Sequence, residues 1–111
     1  MPRRPKPPPD SLGVLGQSYA IHTVPEEQLP TAYGICDHDA RRILVRDAMT
    51  PCDLRDTTLH EVMHAIRASQ GREYGGKVEE DYVRSLATGL TVVLRDNPEF
   101  ATWLITHPKN K

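Results

Sequence analysis

The apolar residues of this 111-residue chain change their spacing near position 50. Before it they alternate or come in short runs; after it they recur every three or four residues. Between residues 14 and 24, Tyr19, Ile21 and Thr23 alternate with Ala20, His22 and Val24, the period-two pattern of a strand. Residues 25–30 begin and end on proline and form a polar break. Tyr33-Gly34-Ile35-Cys36 and Arg42-Ile43-Leu44-Val45-Arg46 then flank Asp37-His38-Asp39-Ala40, a short polar connection that predicts a hairpin. Charges at both ends of the 42–46 run mark it as an edge strand. Together these segments predict a small antiparallel sheet.

Thr50-Pro51-Cys52-Asp53 reads as a helix start, with Asp53 or Asp56 able to cap free N–H groups. Leu54, Leu59, Val62, Met63 and Ile66 carry the helix to Gly71. Residues 71–77, with Gly75-Gly76, predict a mobile loop. A second helix over 78–96 follows from Val83, Leu86, Leu90, Val93 and Leu94. Asn97-Pro98-Glu99 stops it and caps a short third helix, in which Phe100, Trp103 and Leu104 read as core anchors. The expected architecture is therefore a single α+β domain over 12–111. Residues 1–11, with five prolines and three basic groups, are expected to be an extended, disordered tail.

Charge and composition narrow the partners. Fourteen basic against fifteen acidic residues leave no basic field, so no nucleic-acid partner is expected. The longest apolar run, 90–94, is broken by Thr91 and is far too short for a membrane span. No apolar stretch follows the basic N-terminus, so the expected location is cytoplasmic. There Cys36 and Cys52, which form no C-x-x-C pair, are expected to be free thiols, with Cys52 a small buried residue.

The segment with specific chemistry is His60-Glu61-Val62-Met63-His64. Residues four apart share a helix face, so both imidazoles can aim at one point and form half of a tetrahedral zinc site. Glu61, roughly 100° further round the helix, can flank the metal as general base for a bound water, the arrangement of metallopeptidases. Zinc needs a third protein ligand. Position 70 is Gln, which excludes a third histidine six residues after His64. Glu79 and Glu80 begin the next helix, which a short loop lets pack antiparallel against the first. Periodicity barely separates the two. His22, His38 and His107 read as surface or turn residues, and Tyr74, Tyr82, Arg84 and His107 are candidates to stabilise an oxyanion.

On these residues the chain resembles the gluzincin zinc metallopeptidases, which pair H-E-x-x-H with a downstream glutamate. Within that group it is similar to the small ImmA/IrrE-like metallopeptidases of phages and mobile elements. The second helix of that family carries a glutamate followed by small or apolar residues, a pattern matched here by Glu80, Val83, Leu86, Ala87 and Leu90. The resemblance covers about residues 33–94 and implies a minimal zincin-like fold with His60, His64 and Glu80 as ligands of Zn²⁺ and Glu61 as catalytic base. It implies a protein or peptide substrate, hydrolysed by metal-activated water; the residue pattern separately makes the 42–46 strand the expected edge for an extended substrate. Two features depart from the pattern. Position 84 is Arg where thermolysin-type enzymes have an Asp that supports a ligand histidine, so that support is unassigned. No DNA-binding region accompanies the domain, so a role in transcriptional switching would require a separate partner. The alternative is a non-catalytic, zinc-stabilised regulatory or interaction domain.

Overall fold

Two residues reverse the chain at its first turn. Leu15 and Gly16 both have positive φ (49° and 85°), the backbone of a two-residue type I′ turn, and join β1 (Ser11–Val14) to β2 (Gln17–Val24) as an antiparallel hairpin. The 14–24 segment is thus the turn and second strand of a hairpin rather than one strand. The computed structural model describes residues 7–73 and 75–106. Of the expected disordered tail, residues 1–6 lie outside this set, and β1 already begins at Ser11.

After a single 3₁₀ turn (Glu26–Gln28), β3 (Gly34–Asp37) and β4 (Arg42–Arg46) form the expected hairpin. The sheet order is β1-β2-β4-β3, and β4 runs parallel to β2 with Ile21 opposite Ile43. The sheet is therefore mixed, not antiparallel, and β4 is internal rather than an edge. Burial explains the placement: Ile43 and Val45 are fully buried, which an edge strand does not provide. The terminal charges of β4 serve its neighbours instead. Arg46 donates from Nε to the carbonyls of Leu29 (3.0 Å) and Ala32 (3.1 Å), tying down the preceding loop, and Arg42 lies 3.8 Å from Asp37. The edges are β1 and β3.

Helix α1 (Pro51–Ser69) packs on this sheet through Leu54 and Ala65, which join Val14, Tyr19, Ile21, Ile43 and Val45 in one core. Thr50, not Asp53 or Asp56, caps it: Thr50 Oγ1 accepts from Asp53 N at 3.1 Å, with Pro51 as first helical residue. Gly71 (φ 69°) follows its end. Helix α2 (Lys77–Asp96) runs antiparallel to α1, since Glu79 meets Arg67, Glu80 meets His60 and His64, and Thr88 meets Asp56. It buries only Val83 and Ala87 fully.

Helix α3 (Pro98–Ile105) packs on α2. Asn97 is its N-cap residue, as expected, and its carbonyl accepts from Ala101 N, but its side chain makes no capping bond and instead donates backward from Nδ2 to Val93 O. Its expected anchors are not in the core: Phe100 and Trp103 are 44% and 72% exposed and stack on each other. No helix among the described residues is long and apolar enough to cross a membrane.

Leu15 is 62% exposed yet holds a left-handed conformation that costs a branched side chain about 1 kcal/mol. Leu15→Asn places the preferred Asn-Gly pair in this turn and is expected to raise the unfolding free energy by about 0.5–1 kcal/mol in urea titrations. An unchanged or lower midpoint would mean that Leu15 makes contacts worth more than the strain.

Candidate metal centre

His60 and His64 project from consecutive turns of α1, their ring centroids 4.9 Å apart. Their Nε2 atoms converge to 3.2 Å. Glu80, in the first turn of α2, bridges them: Oε1 is 2.7 Å from His60 Nε2 and Oε2 is 3.0 Å from His64 Nε2. A carboxylate only accepts hydrogen bonds, and a neutral imidazole carries a proton on one nitrogen alone. Glu80 can accept from a proton-bearing Nε2 at each oxygen, or a cation can sit between the three groups in place of those protons. The donor set suits a metal ion, and the nitrogen separation matches the edge of about 3.3 Å in a tetrahedron with zinc–nitrogen bonds of about 2.0 Å. His60, His64 and Glu80 are thus placed to hold a metal ion.

Glu79 is engaged differently, although its carboxylate also lies within 4.8 Å of a His64 ring nitrogen. Its Oε2 is 3.2 Å from Arg67 Nη2, and its side chain is only 11% exposed. The two adjacent glutamates, which periodicity could not separate, face different partners: imidazoles for Glu80, a guanidinium for Glu79.

Glu61 is 7% exposed and is the buried charged residue of the core region. Burial pushes its carboxyl up to about 7, with the nearby His64 opposing the rise and the Glu80 and Glu73 carboxylates adding to it. Edge strand β3 presses on it through Gly34. A Cβ at that position would lie 2.8 Å from Thr57 Cγ2 and 3.1 Å from Glu61 Cγ, so only glycine lets this strand sit so close. A cleft of about 580 Å³ opens above, with Tyr33 and Gly34 on one wall, Arg84 and Thr88 on the other, and His60, Glu61 and Glu80 at its base.

The remaining predicted residues separate. Arg84 borders the cleft, with Nη2 3.8 Å from Glu80 Oε1. Tyr82 instead lines a second, apolar groove of about 540 Å³ with Met63, Ile66 and Val78. His38 bonds through Nδ1 to the Tyr19 hydroxyl, and His22 is exposed on β2. Cys52 is exposed rather than buried, near Arg95. Tyr74 and His107 lie outside the described residues.

Sequence reading missed Glu73, whose Oε1 is 2.6 Å from His64 Nδ1. It sits in the glycine-rich segment read only as a mobile loop, and its one signal was being the sole acid between the two helices.

Two consequences can be measured. Gly34→Ala is expected to cost about 1–3 kcal/mol of stability by overpacking, and adding Thr57→Ser to recover more than half of it, since Thr57 Cγ2 is the nearest obstacle. A wild-type urea midpoint for Gly34→Ala would contradict the close approach. Glu61 has a folded pKa above its ordinary 4.5, so its ionisation favours unfolding. In metal-free protein that penalty is absent below about pH 4.5, grows through pH 7 and is complete above it. Glu61→Gln is therefore expected to be more stable than wild type at pH 8, by on the order of 2 kcal/mol, with the gap closing toward pH 5. Equal thermal melts at pH 8 would argue against the burial effect.

Comparison of the chain with protein-family models, with curated proteins and with solved structures gives no match.

Proposed function

We propose that this chain is a zinc-dependent metallopeptidase of minimal zincin-like fold. The observation that carries the reading is the convergence of His60 Nε2, His64 Nε2 and the Glu80 carboxylate beside a buried Glu61 in an open cleft. His60, His64 and Glu80 hold the zinc. Bound there, zinc supplies Lewis acidity that polarises a carbonyl and acidifies water.

The protein supplies proton transfer and positioning. Glu61 takes a proton from the attacking water at its carboxylate and passes it to the departing amine nitrogen. Burial raises this carboxyl's proton affinity, which favours the acceptor step, while a bound dication would draw it back down and favour the release to the amine. Arg84, on the cleft wall, is the described cation best placed to meet negative charge growing on the substrate carbonyl oxygen. An extended peptide adds along the free edge of β3, which borders the cleft at Gly34. This replaces β4, whose two edges are already paired.

A second reading, a metal-stabilised domain without catalysis, is favoured by one observation. Helix α2 buries only Val83 and Ala87 fully, so a metal tying it to α1 would add to a thin interface.

Metal analysis and cleavage assays separate these readings. Zinc-loaded wild type is expected to carry one zinc per chain, and His60→Ala to lose it. Glu80→Ala is expected to weaken binding at least tenfold more than Glu79→Ala does. Glu61→Gln is expected to retain zinc and lose cleavage of an unstructured peptide library. Absence of stoichiometric zinc, or zinc unaffected by His60→Ala, removes both readings. Wild-type zinc with no cleavage of any peptide leaves the structural one.

A further inference from the structure

The loop from α1 to α2 carries one acidic side chain, Glu73, and this side chain reaches the rear of a proposed metal ligand. Its Oε1 lies 2.6 Å from His64 Nδ1, while the opposite ring nitrogen, Nε2, lies 3.0 Å from Glu80 Oε2. A carboxylate cannot donate, so the contact calls for a proton on Nδ1; Glu80 makes the same demand of Nε2, where a bound metal would take the proton's place. With a metal at Nε2, the one remaining ring proton is held on Nδ1 by Glu73. Without an acceptor behind the ring, the proton could sit on Nε2, which is the nitrogen a metal needs bare.

Glu73 has a cation beside it, at ion-pair rather than hydrogen-bond distance. Its Oε2 is 3.9 Å from Arg67 Nε, a buried N–H that makes no hydrogen bond among the described residues. Arg67 is anchored through Nη2 to Glu79 Oε2 at 3.2 Å and to the Arg72 carbonyl at 2.7 Å. Arg67 thereby links α1, the loop and the first turn of α2. His64, Glu73 and Glu79 also bring ligand atoms close enough together to suggest a second cation site. The Arg67 guanidinium already supplies the positive charge there, which leaves one metal per chain.

We propose that Glu73 is a positioning residue that fixes His64 as its Nδ1–H tautomer and aims Nε2 at the metal, with Arg67, braced on Glu79 and the Arg72 carbonyl, holding the Glu73 carboxylate in place. The proposal rests on the zinc-site reading. It assigns the support that Arg84 cannot give at its own position, and it draws that support from the loop.

The test uses cobalt(II) and zinc titrations of the full chain together with ¹⁵N NMR of the histidine rings in metal-free protein at pH 8. Wild type is expected to show a protonated Nδ1 at His64, and Glu73→Ala to lose it in favour of the Nε2–H form that donates to Glu80. Glu73→Ala is also expected to bind one metal with affinity reduced about 10- to 100-fold. Glu73→Gln keeps a carbonyl acceptor, so it is expected to fall between the two and to serve if Glu73→Ala does not fold. An unchanged His64 tautomer, or metal affinity within twofold of wild type in both variants, overturns the assignment. So does loss of a second metal equivalent in Glu73→Ala. If wild type itself binds no metal, the metallopeptidase reading falls, while the NMR measurement still decides the role of Glu73.

Discussion

The register between α1 and α2 is the constraint on which the centre depends. One carboxylate, Glu80, lies against two imidazoles of the facing helix, and every other cross-helix contact steps away from it in antiparallel order: Arg67 with Glu79 on one side, Asp56 with Thr88 on the other. A slip of one turn, about 5.4 Å, would carry Glu80 past both histidines. The apolar part of this interface is modest, with Val83 and the small Ala87 fully buried on α2. Polar pairs therefore share in setting the register, and their geometry is demanding because each carboxylate must meet a particular nitrogen.

That arrangement concentrates negative charge. Glu61, Glu73, Glu79 and Glu80 all lie around His64, with Arg67 and Arg84 as the described cations among them. Glu61 bears most of the strain, since it is buried beneath β3 and feels two neighbouring carboxylates. A polypeptide folding for stability alone would place an apolar side chain there. A divalent cation at the histidines would relieve the repulsion, which ties the stability of this part of the fold to the proposed ligand.

Much of the centre was readable because it is local. Spacing of four places His60 and His64 on one face, and the β3–β4 hairpin and both long helices follow from short-range pattern. What escaped is tertiary or disguised. The parallel pairing of β2 with β4 joins strands that are not consecutive, and the terminal arginines of β4 mimic an edge while Arg46 in fact braces the 29–32 loop. The first hairpin hides behind Leu15, a residue seldom found at positive φ. Phe100 and Trp103 have the pattern of core residues but lie on α3, which packs mainly along α2 and leaves both exposed. Glu73 belongs to a segment whose glycines signal a loop, and nothing in a loop's sequence tells which side chain folds back.

The donor set also bears on which kind of zinc site this would be. Structural zinc sites are usually closed by four ligands, with thiolates prominent; catalytic ones keep three protein ligands and an open position. Cys36 is the nearby residue that could close this one. It lies on β3, packed against the core, and burial, with the Glu61, Glu73 and Asp37 carboxylates, pushes its thiol up to about 11. At neutral pH it stays protonated in the metal-free protein, a poor nucleophile, and its sulfur is not among the ligand atoms that converge with His60, His64 and Glu80. The same acidic surroundings that favour a cation at the imidazoles thus keep the neighbouring sulfur in its thiol form. Two nitrogens and one carboxylate then remain, opening onto the cleft between Gly34 and Arg84. Three protein donors and an open position are the composition that the proposed hydrolysis requires, whereas a structural clasp would want a fourth donor that these residues do not supply.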